Sequence, residues 1–191
     1  MFERGFKAWC EKYSTSIRKD LGLNVSGALD MCALAEHLGI RVWSPNSLPG
    51  LSTETQAILL RNDPNSRSDW SAVTVVAASR IAVILNTSHS EGRQASDLAH
   101  ELAHLIRGHE SKGAGRSTDG ILLLSDYEKQ QEEEANWLSG CLLLPREALV
   151  SIKQRRLTDE EAAREYCVSR RLLKYRNSMT GVDRQFSSTQ T

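Results

Sequence analysis

The sequence predicts an α+β protein: a small, mostly antiparallel sheet packed on two longer helices, followed by a helical C-terminal segment. Three observations predict this class. Short runs rich in valine, isoleucine and alanine lie between turn-forming residues in the first half of the chain. Apolar residues recur at helical spacing before and after those runs. The 191 residues, 40% of them hydrophobic, suit one domain with a small appendage.

Two helices and a strand are predicted first along the chain. Residues 1–20 place Phe6, Trp9 and Tyr13 near helical spacing, which predicts an amphipathic helix. A second helix is predicted across "GALDMCALAEHLG", where Gly39 is placed to end it in the left-handed conformation. The alternating run "IRVWS" predicts a strand.

Three further strands are predicted in "TQAILL", "WSAVTVVA" and "RIAVILN". The last two are separated by so few residues that a tight hairpin is expected, and this favours an antiparallel sheet. The chain then changes to helical spacing. Ser88 or Ser90 is the predicted N-cap of a helix that continues to about Arg107 and stops at Gly108.

The rest of the chain is predicted to contain a polar loop and further helices. "HESKGAGRSTDG" predicts a glycine-rich, mobile loop. Ser125 and Glu128 form a predicted capping box for a helix through "KQQEEEANWLSGCLLL". "TDEEAAREYCVSRRLLKYRN" predicts two short helices in a helix-turn-helix-like arrangement, with Ser169 as the second N-cap, and "RQFSSTQT" predicts a frayed tail. We therefore divide the chain into residues 1–150 and a C-terminal segment, 151–191.

Charge and composition argue against several classes of function. Lysine plus arginine and aspartate plus glutamate both number 24, so the chain offers no global charge for nucleic acid or an anionic membrane. No apolar run approaches 18 residues and the start has no apolar stretch of signal-peptide length, so we expect a cytoplasmic protein with no membrane partner. The four cysteines lie far apart, which indicates free thiols rather than disulfides or a cysteine-bound zinc.

The stretch "SDLAHELAHLIRGHE" contains an H-E-x-x-H motif. His100 and His104 are four residues apart on the predicted helix, so both project from one face and their imidazoles can converge on one metal ion. Glu101 is rotated by about 100° from His100. It can therefore flank the ion without binding it, as a general base requires. The alternative is a helix with surface histidines and an incidental glutamate.

A catalytic zinc needs a third protein ligand beside an open position. The acidic run "EEEAN" supplies Glu132, near the edge of the buried side of its predicted helix. Helix phase disfavours Glu133 and Glu134, which are expected to be solvated. Asn136, one turn after Glu132, is expected to hydrogen-bond the outer nitrogen of a ligating histidine. Without the upstream motif, the run would predict only a solvated acidic face.

Tyr127 and His109 are the nearest candidates in sequence for a group that stabilises an oxyanion. For His109 the alternative is an exposed position just past the helix end, where the helix dipole favours a cation. For Tyr127 the alternative is a packing or surface role. A substrate strand is expected to add at an edge of the sheet, for which "RIAVILN" is the candidate, the alternative being an edge that only faces solvent.

Several segments together resemble the ImmA/IrrE family of zinc metallopeptidases, bacterial and phage proteins that have H-E-x-x-H and a downstream glutamate. "ILNTSHSEGRQASDLAHELAH" is similar to the strand and active-site helix of the family. "EEEANWLSGCLLLP" is similar to its third-ligand helix, although Leu144 stands where the family has methionine. "FKAWCEKY", "LAEHLGIRV", "WSAVTV" and "YCVSRRLLKYR" are similar to further parts, so the resemblance covers most of the chain.

The resemblance implies a cytoplasmic zinc endopeptidase in which His100, His104 and Glu132 are the ligands, Glu101 is the base, and Asn136 supports a ligand. It implies that the substrate is a helix-turn-helix repressor, often encoded nearby, which is cleaved in a stress or mobile-element response.

The residues themselves leave several alternatives open. Mn²⁺ or Fe²⁺ can replace Zn²⁺ at such a site, and no oligomeric state is predicted. A non-proteolytic regulator or toxin–antitoxin component, acting by protein or DNA binding, is the alternative function. The segment 151–185, which carries a net charge of plus four, would then supply the binding surface.

Overall fold

The computed structural model describes residues 2–48, 50–61, 70–77, 80–116 and 121–187. The helices within these ranges are α1 (Phe6–Asp20), α2 (Met31–His37), α3 (Thr53–Leu59), α4 (Glu91–Arg107), α5 (Lys129–Leu143), α6 (Arg146–Gln154), α7 (Asp159–Glu165), α8 (Arg170–Thr180) and α9 (Val182–Ser187). The strands are β1 (Arg41–Trp43), β2 (Ala72–Ala77), β3 (Arg80–Leu85), β4 (Gly113–Arg116) and β5 (Ile121–Ser125).

The five strands form one sheet in the order β1-β3-β2-β5-β4. β1 runs parallel to β3 and the other pairs are antiparallel, which confirms the predicted α+β class with a mostly antiparallel sheet. The hairpin of β2 and β3 is also confirmed, although residues 78–79 lie outside the described part of the chain. The prediction that "RIAVILN" forms an edge is wrong, because β3 pairs with β1 on one side and β2 on the other.

The predicted strand "TQAILL" is instead the helix α3. Ser52 caps this helix by accepting a hydrogen bond from the backbone N–H of Thr55. The position beside β2 that another strand would occupy is taken by β5. Residues 53–59 therefore have no strand to pair with in the described part of the chain, and the cap at Ser52 favours the helical conformation. The helix lies on the surface with no buried residue, and Ile58 is 61% exposed.

A second difference from the prediction lies between α4 and α5. Residues 113–116 of the expected mobile loop form β4, which pairs with β5, while residues 117–120 lie outside the described chain. Ser125 ends β5 rather than capping a helix. The capping box of α5 is formed by Glu128 and Gln131. Glycine-rich composition concealed β4, because the hydrogen bonds of a strand ladder come from the backbone and need no particular side chain.

The core lies where α4 and α5 pack together against the sheet and α1. Leu102 and Leu138 are fully buried between these elements. Two arginines are buried beside them, and each donates hydrogen bonds that offset the cost of burying a cation. Arg18 donates to backbone carbonyls that include one of α5, and Arg176 donates to the carboxylate of Glu11 on α1. These contacts fix α1 and α8 to the layer that carries the candidate site.

The C-terminal segment is helical, as predicted. Its two expected short helices are α7 and α8, and Ser169 caps α8 by accepting a hydrogen bond from the backbone N–H of Leu172. The expected frayed tail is helical through residue 187, and residues 188–191 lie outside the described range. The division at residue 150 falls within α6 and stays a prediction. None of the described helices has the length and apolar content needed to span a membrane.

Candidate metal centre

The three predicted ligands meet where α4 packs against α5. His100 Nε2 and His104 Nε2 lie 3.0 Å apart on one face of α4. Glu132 on α5 places Oε2 3.2 Å from His100 Nε2 and Oε1 3.6 Å from His104 Nε2. Tetrahedral ligands at about 2.0–2.1 Å from a zinc ion lie about 3.3 Å from one another, so these spacings fit one ion. Among the described residues, this is the one such group of three metal-binding side chains.

His104 is held in the uncharged form that binds a metal. Its side chain is 1% exposed. Burial, followed by the charges of His100 and His109, lowers the pKa of His104 to about 3. A neutral imidazole therefore offers its lone pair at neutral pH. His100 and Glu132 are 26% and 40% exposed, so a molecule from solvent can approach the open side of the centre.

Behind His104 lies a row of polar side chains. His104 Nδ1 lies 3.0 Å from His109 Nδ1, and His109 Nε2 lies 3.5 Å from Glu134 Oε2. Arg107 donates two hydrogen bonds to the same carboxylate oxygen, and Gln130 donates one to the other. Burial acts to raise the pKa of Glu134, but the bonds from Gln130, Arg107 and His109 outweigh it and lower that pKa. The row therefore ends on a carboxylate that stays ionised.

The row also fixes the tautomers of both histidines. When His104 binds an ion through Nε2, its Nδ1 carries the proton and donates to Nδ1 of His109. His109 then carries its own proton on Nε2, which faces Glu134. The imidazole of His104 is thereby oriented from the side opposite the ion.

Asn136 does not occupy this supporting position. It is exposed, and within the described chain its side chain forms no hydrogen bond with either ligating histidine. His109 supports His104 instead, and its side chain is 6% exposed rather than solvated. Gly108 explains the difference. Its left-handed conformation, with φ of 65°, turns the chain back so that the His109 N–H bonds to the carbonyl of His104.

Glu134 is also buried, contrary to the expected solvated position, and is 5% exposed. The signal for this burial was present in the sequence. Glu134 precedes Leu138 and Cys141 by four and seven residues, so it belongs to the same buried stripe of α5. Glu133 is exposed, as expected.

The His109→Ala substitution is expected to weaken zinc binding about 10- to 100-fold, because His104 would lose the contact that orients it. Zinc affinity can be measured by competition with a coloured chelator. The control is His37→Ala, because His37 is exposed on α2, and its zinc affinity should equal that of the wild type. Equal affinities in all three proteins would show that His109 does not orient the ligand.

Glu101 lies beside the three ligands without joining their group. Its carboxylate accepts a short hydrogen bond from the hydroxyl of Thr74, a fully buried residue of β2. Burial raises the pKa of Glu101, and Glu132 and Asp97 raise it further, while the bond from Thr74 and the charge of His100 act in the opposite direction. Sequence reasoning missed Thr74. Its signal was a single polar residue within the apolar strand "AVTVV".

Tyr127 stacks on His104, with ring centroids 3.6 Å apart and planes inclined by 19°. Its hydroxyl is buried and has no hydrogen-bond partner among the described residues. Burial, followed by the charges of Glu101 and Glu132, raises the pKa of Tyr127 to about 12, so the phenol keeps its proton. Tyr127 and His109 were the two predicted candidates for stabilising an oxyanion. The hydroxyl of Tyr127 is available to donate a hydrogen bond, whereas His109 contacts His104.

A model of the IrrE N-terminal-like domain, peptidase family M78, matches residues 50–178, which include the three ligands, Glu101 and Tyr127. The chain belongs to this family. The resemblance seen in the sequence is thereby confirmed. No curated protein matches the chain significantly.

Among solved structures, a transcriptional regulator from Mycobacterium tuberculosis is 18% identical and has a TM-score of 0.48. The similarity covers 93% of this chain and 48% of the regulator, so this IrrE N-terminal-like chain spans about half the length of that protein.

Part of the support for the centre lies outside the residues matched by the IrrE N-terminal-like model. The guanidinium of Arg107, which holds Glu134, lies 5.1 Å from the ring centroids of both Phe6 and Trp9 on α1. Such cation–aromatic contacts are stabilising. The row behind His104 therefore extends to the N-terminal helix.

Proposed function

We propose that the protein is a zinc-dependent endopeptidase that hydrolyses a peptide bond in a protein substrate. The convergence of His100, His104 and Glu132 beside Glu101 is the observation that carries this proposal. Membership of peptidase family M78 supports the same reaction class. When bound, Zn²⁺ supplies a Lewis acid that polarises a carbonyl and lowers the pKa of water. The donor set of two imidazoles and one carboxylate also accepts Mn²⁺ or Fe²⁺.

The side chains around the three ligands have separate roles in the proposed reaction. Glu101 takes a proton from the attacking water and gives it to the leaving amine. Thr74 holds the carboxylate in place. Tyr127 donates its hydroxyl proton in a hydrogen bond to the oxyanion that forms on the scissile carbonyl.

The proposed substrate is a helix-turn-helix transcriptional repressor encoded beside this gene, cleaved in the cytoplasm during a stress or mobile-element response. The resemblance to the ImmA/IrrE family supports this choice of substrate. The exposure of His100 and Glu132 supports access by a polypeptide.

A non-proteolytic regulator that binds DNA through the C-terminal helices has less support, because three basic side chains of those helices are engaged within the protein. Arg155 and Arg170 are paired with Glu165 and Glu160. Arg176 is buried. These basic side chains are therefore less available to phosphates than the net charge of the segment indicates.

The direct test is incubation of the purified, zinc-loaded protein with the neighbouring repressor. We expect cleavage of the repressor at a discrete site, loss of cleavage when a chelator removes the metal, and recovery when zinc is returned. Mass spectrometry of the fragments gives the scissile bond. A zinc-loaded protein that binds the repressor and leaves it intact would favour the non-proteolytic alternative.

The Thr74→Val substitution is expected to move the acid limb of the kcat/KM profile to higher pH. The hydroxyl of Thr74 stabilises the ionised form of Glu101, so its removal raises the pKa of that carboxylate, and a higher pH is needed to ionise the base. Thr74→Ser keeps the hydroxyl and should keep the wild-type profile. If the acid limb stays in place in the valine variant, then Glu101 is not the group that it reports.

A further inference from the structure

A groove of about 460 Å³ lies between His100 of the metal centre and the helix α8. Its walls come from α4, α5 and α8, and a volume of this size is typical of ligand sites. The lining side chains that matter here are Asp97 and His100 of α4, Leu143 of α5, and Arg171, Leu172 and Tyr175 of α8. Because His100 is both a candidate ligand and part of the wall, the groove is continuous with the centre.

The α8 wall offers an apolar surface that the protein itself leaves partly uncovered. Tyr175 is 47% exposed. Leu172 is partly buried beside it, and Leu143 contributes a buried apolar side chain from α5. An apolar side chain of a bound peptide would be stabilised by removing this surface from water.

The two charged side chains that line the groove, Asp97 and Arg171, differ in whether they have an ion-pair partner. Asp97 forms an ion pair with Arg93, whose Nε lies 3.6 Å from the carboxylate, so its charge has a partner within the protein. Arg171 is exposed and has no ion-pair partner in the described part of the chain. The uncompensated charge of the groove is therefore positive, and it complements an acidic group.

We infer that this groove binds the stretch of substrate next to the scissile bond, with Arg171 selecting an acidic side chain and Leu172 and Tyr175 binding an apolar one. The inference rests on the proposed peptidase function. It makes α8 a wall of the substrate cleft and Arg171 a specificity-determining residue.

Peptide hydroxamates test the inference without requiring turnover, because the hydroxamate anchors the probe on the zinc. Two series of tripeptides carry the hydroxamate at either the N-terminal or the C-terminal end. Within each series, one position of the tripeptide at a time is varied among glutamate, glutamine and lysine. Dissociation constants are measured on the zinc-loaded protein at low and high salt. At one position we expect glutamate to bind at least about fivefold more tightly than lysine, with the preference falling at high salt.

The matched variants are Arg171→Glu and Arg170→Glu. Both residues lie in the first turn of α8, where an acidic side chain suits the helix dipole. Arg170 is paired with Glu160 and does not line the groove. Arg171→Glu should reverse the preference so that lysine binds more tightly than glutamate, and Arg170→Glu should keep the wild-type order. Tyr175→Ala should reduce the affinity for a leucine peptide relative to its alanine counterpart and leave the charge order unchanged.

The outcomes separate this inference from the proposed function. If the zinc-loaded protein binds the hydroxamates but shows no charge preference, or if Arg171→Glu leaves the order unchanged, the inference is overturned and the peptidase proposal stands. The inference is also overturned if Arg170→Glu reverses the order of affinities as Arg171→Glu does. It is overturned likewise if Arg171→Glu changes the affinity for duplex DNA and not for the peptides. If the protein takes up no zinc or binds no hydroxamate, the inference and the proposed function fall together.

Discussion

The Glu101→Gln substitution is expected to lower kcat for peptide hydrolysis about 10²- to 10⁴-fold while zinc content stays at the wild-type level. Glutamine has the shape of glutamate, and its carbonyl can still accept the hydrogen bond from Thr74. It cannot take a proton from water. The change therefore removes the base and leaves the three ligands in place. Single-turnover cleavage and metal analysis of the same preparation measure both quantities.

Glu133→Gln is the control for this experiment, because it makes the same change of charge at an exposed position of α5. Its activity should equal that of the wild type. Full activity in Glu101→Gln with zinc bound would mean that another group acts as the base. Loss of both activity and zinc would mean that the carboxylate of Glu101 contributes to metal binding.

The Glu132→Ala substitution is expected to weaken zinc binding by more than the roughly 10- to 100-fold typical of contacts behind the ligands. It removes one of three ligands, and the two histidines that remain bind a zinc ion poorly. Peptide hydrolysis should be lost with the metal. Competition with a chelator gives the affinity, and the thermal unfolding midpoint of the metal-free protein checks that the fold is retained.

Glu133→Ala is the matched variant, since the two glutamates are adjacent and only Glu132 reaches the histidines. It should bind zinc normally. A contrary result, with wild-type affinity in Glu132→Ala, would remove Glu132 from the ligand set.

The predictable parts of the fold are those determined by short stretches of sequence. α4 ends at Gly108 because a left-handed residue stops a helix locally, and β2 and β3 pair through a close connection. The errors lie where pairing is long-range. The run in α3 has strand-like composition but no strand beside it, and β4 has little strand propensity but a partner in β5. Whether α3 or β4 forms a strand therefore depends on its neighbours in the fold as well as on its own sequence.

In the candidate site, too, the residues placed by local sequence were predictable and those placed by long-range contacts were not. His100 and His104 were predictable because a single helix determines their spacing, and Glu132 followed from the chemical need for a third ligand. Thr74 reaches Glu101 from the sheet, a contact that no local pattern encodes. The burial of Glu134 could have been predicted from its place in the apolar stripe of α5.

The contact of Arg107 with two aromatic rings of α1 begins a chain of contacts from the first helix to the metal centre. Arg107 holds Glu134, Glu134 faces His109, and His109 contacts His104. If an ion at His104 binds more tightly when α1 is docked, linkage requires that a change that loosens α1 reduce the affinity for the ion by the same factor. We therefore expect substitutions of Phe6 and Trp9 in the first helix, which lies outside the residues matched by the family model, to lower metal affinity.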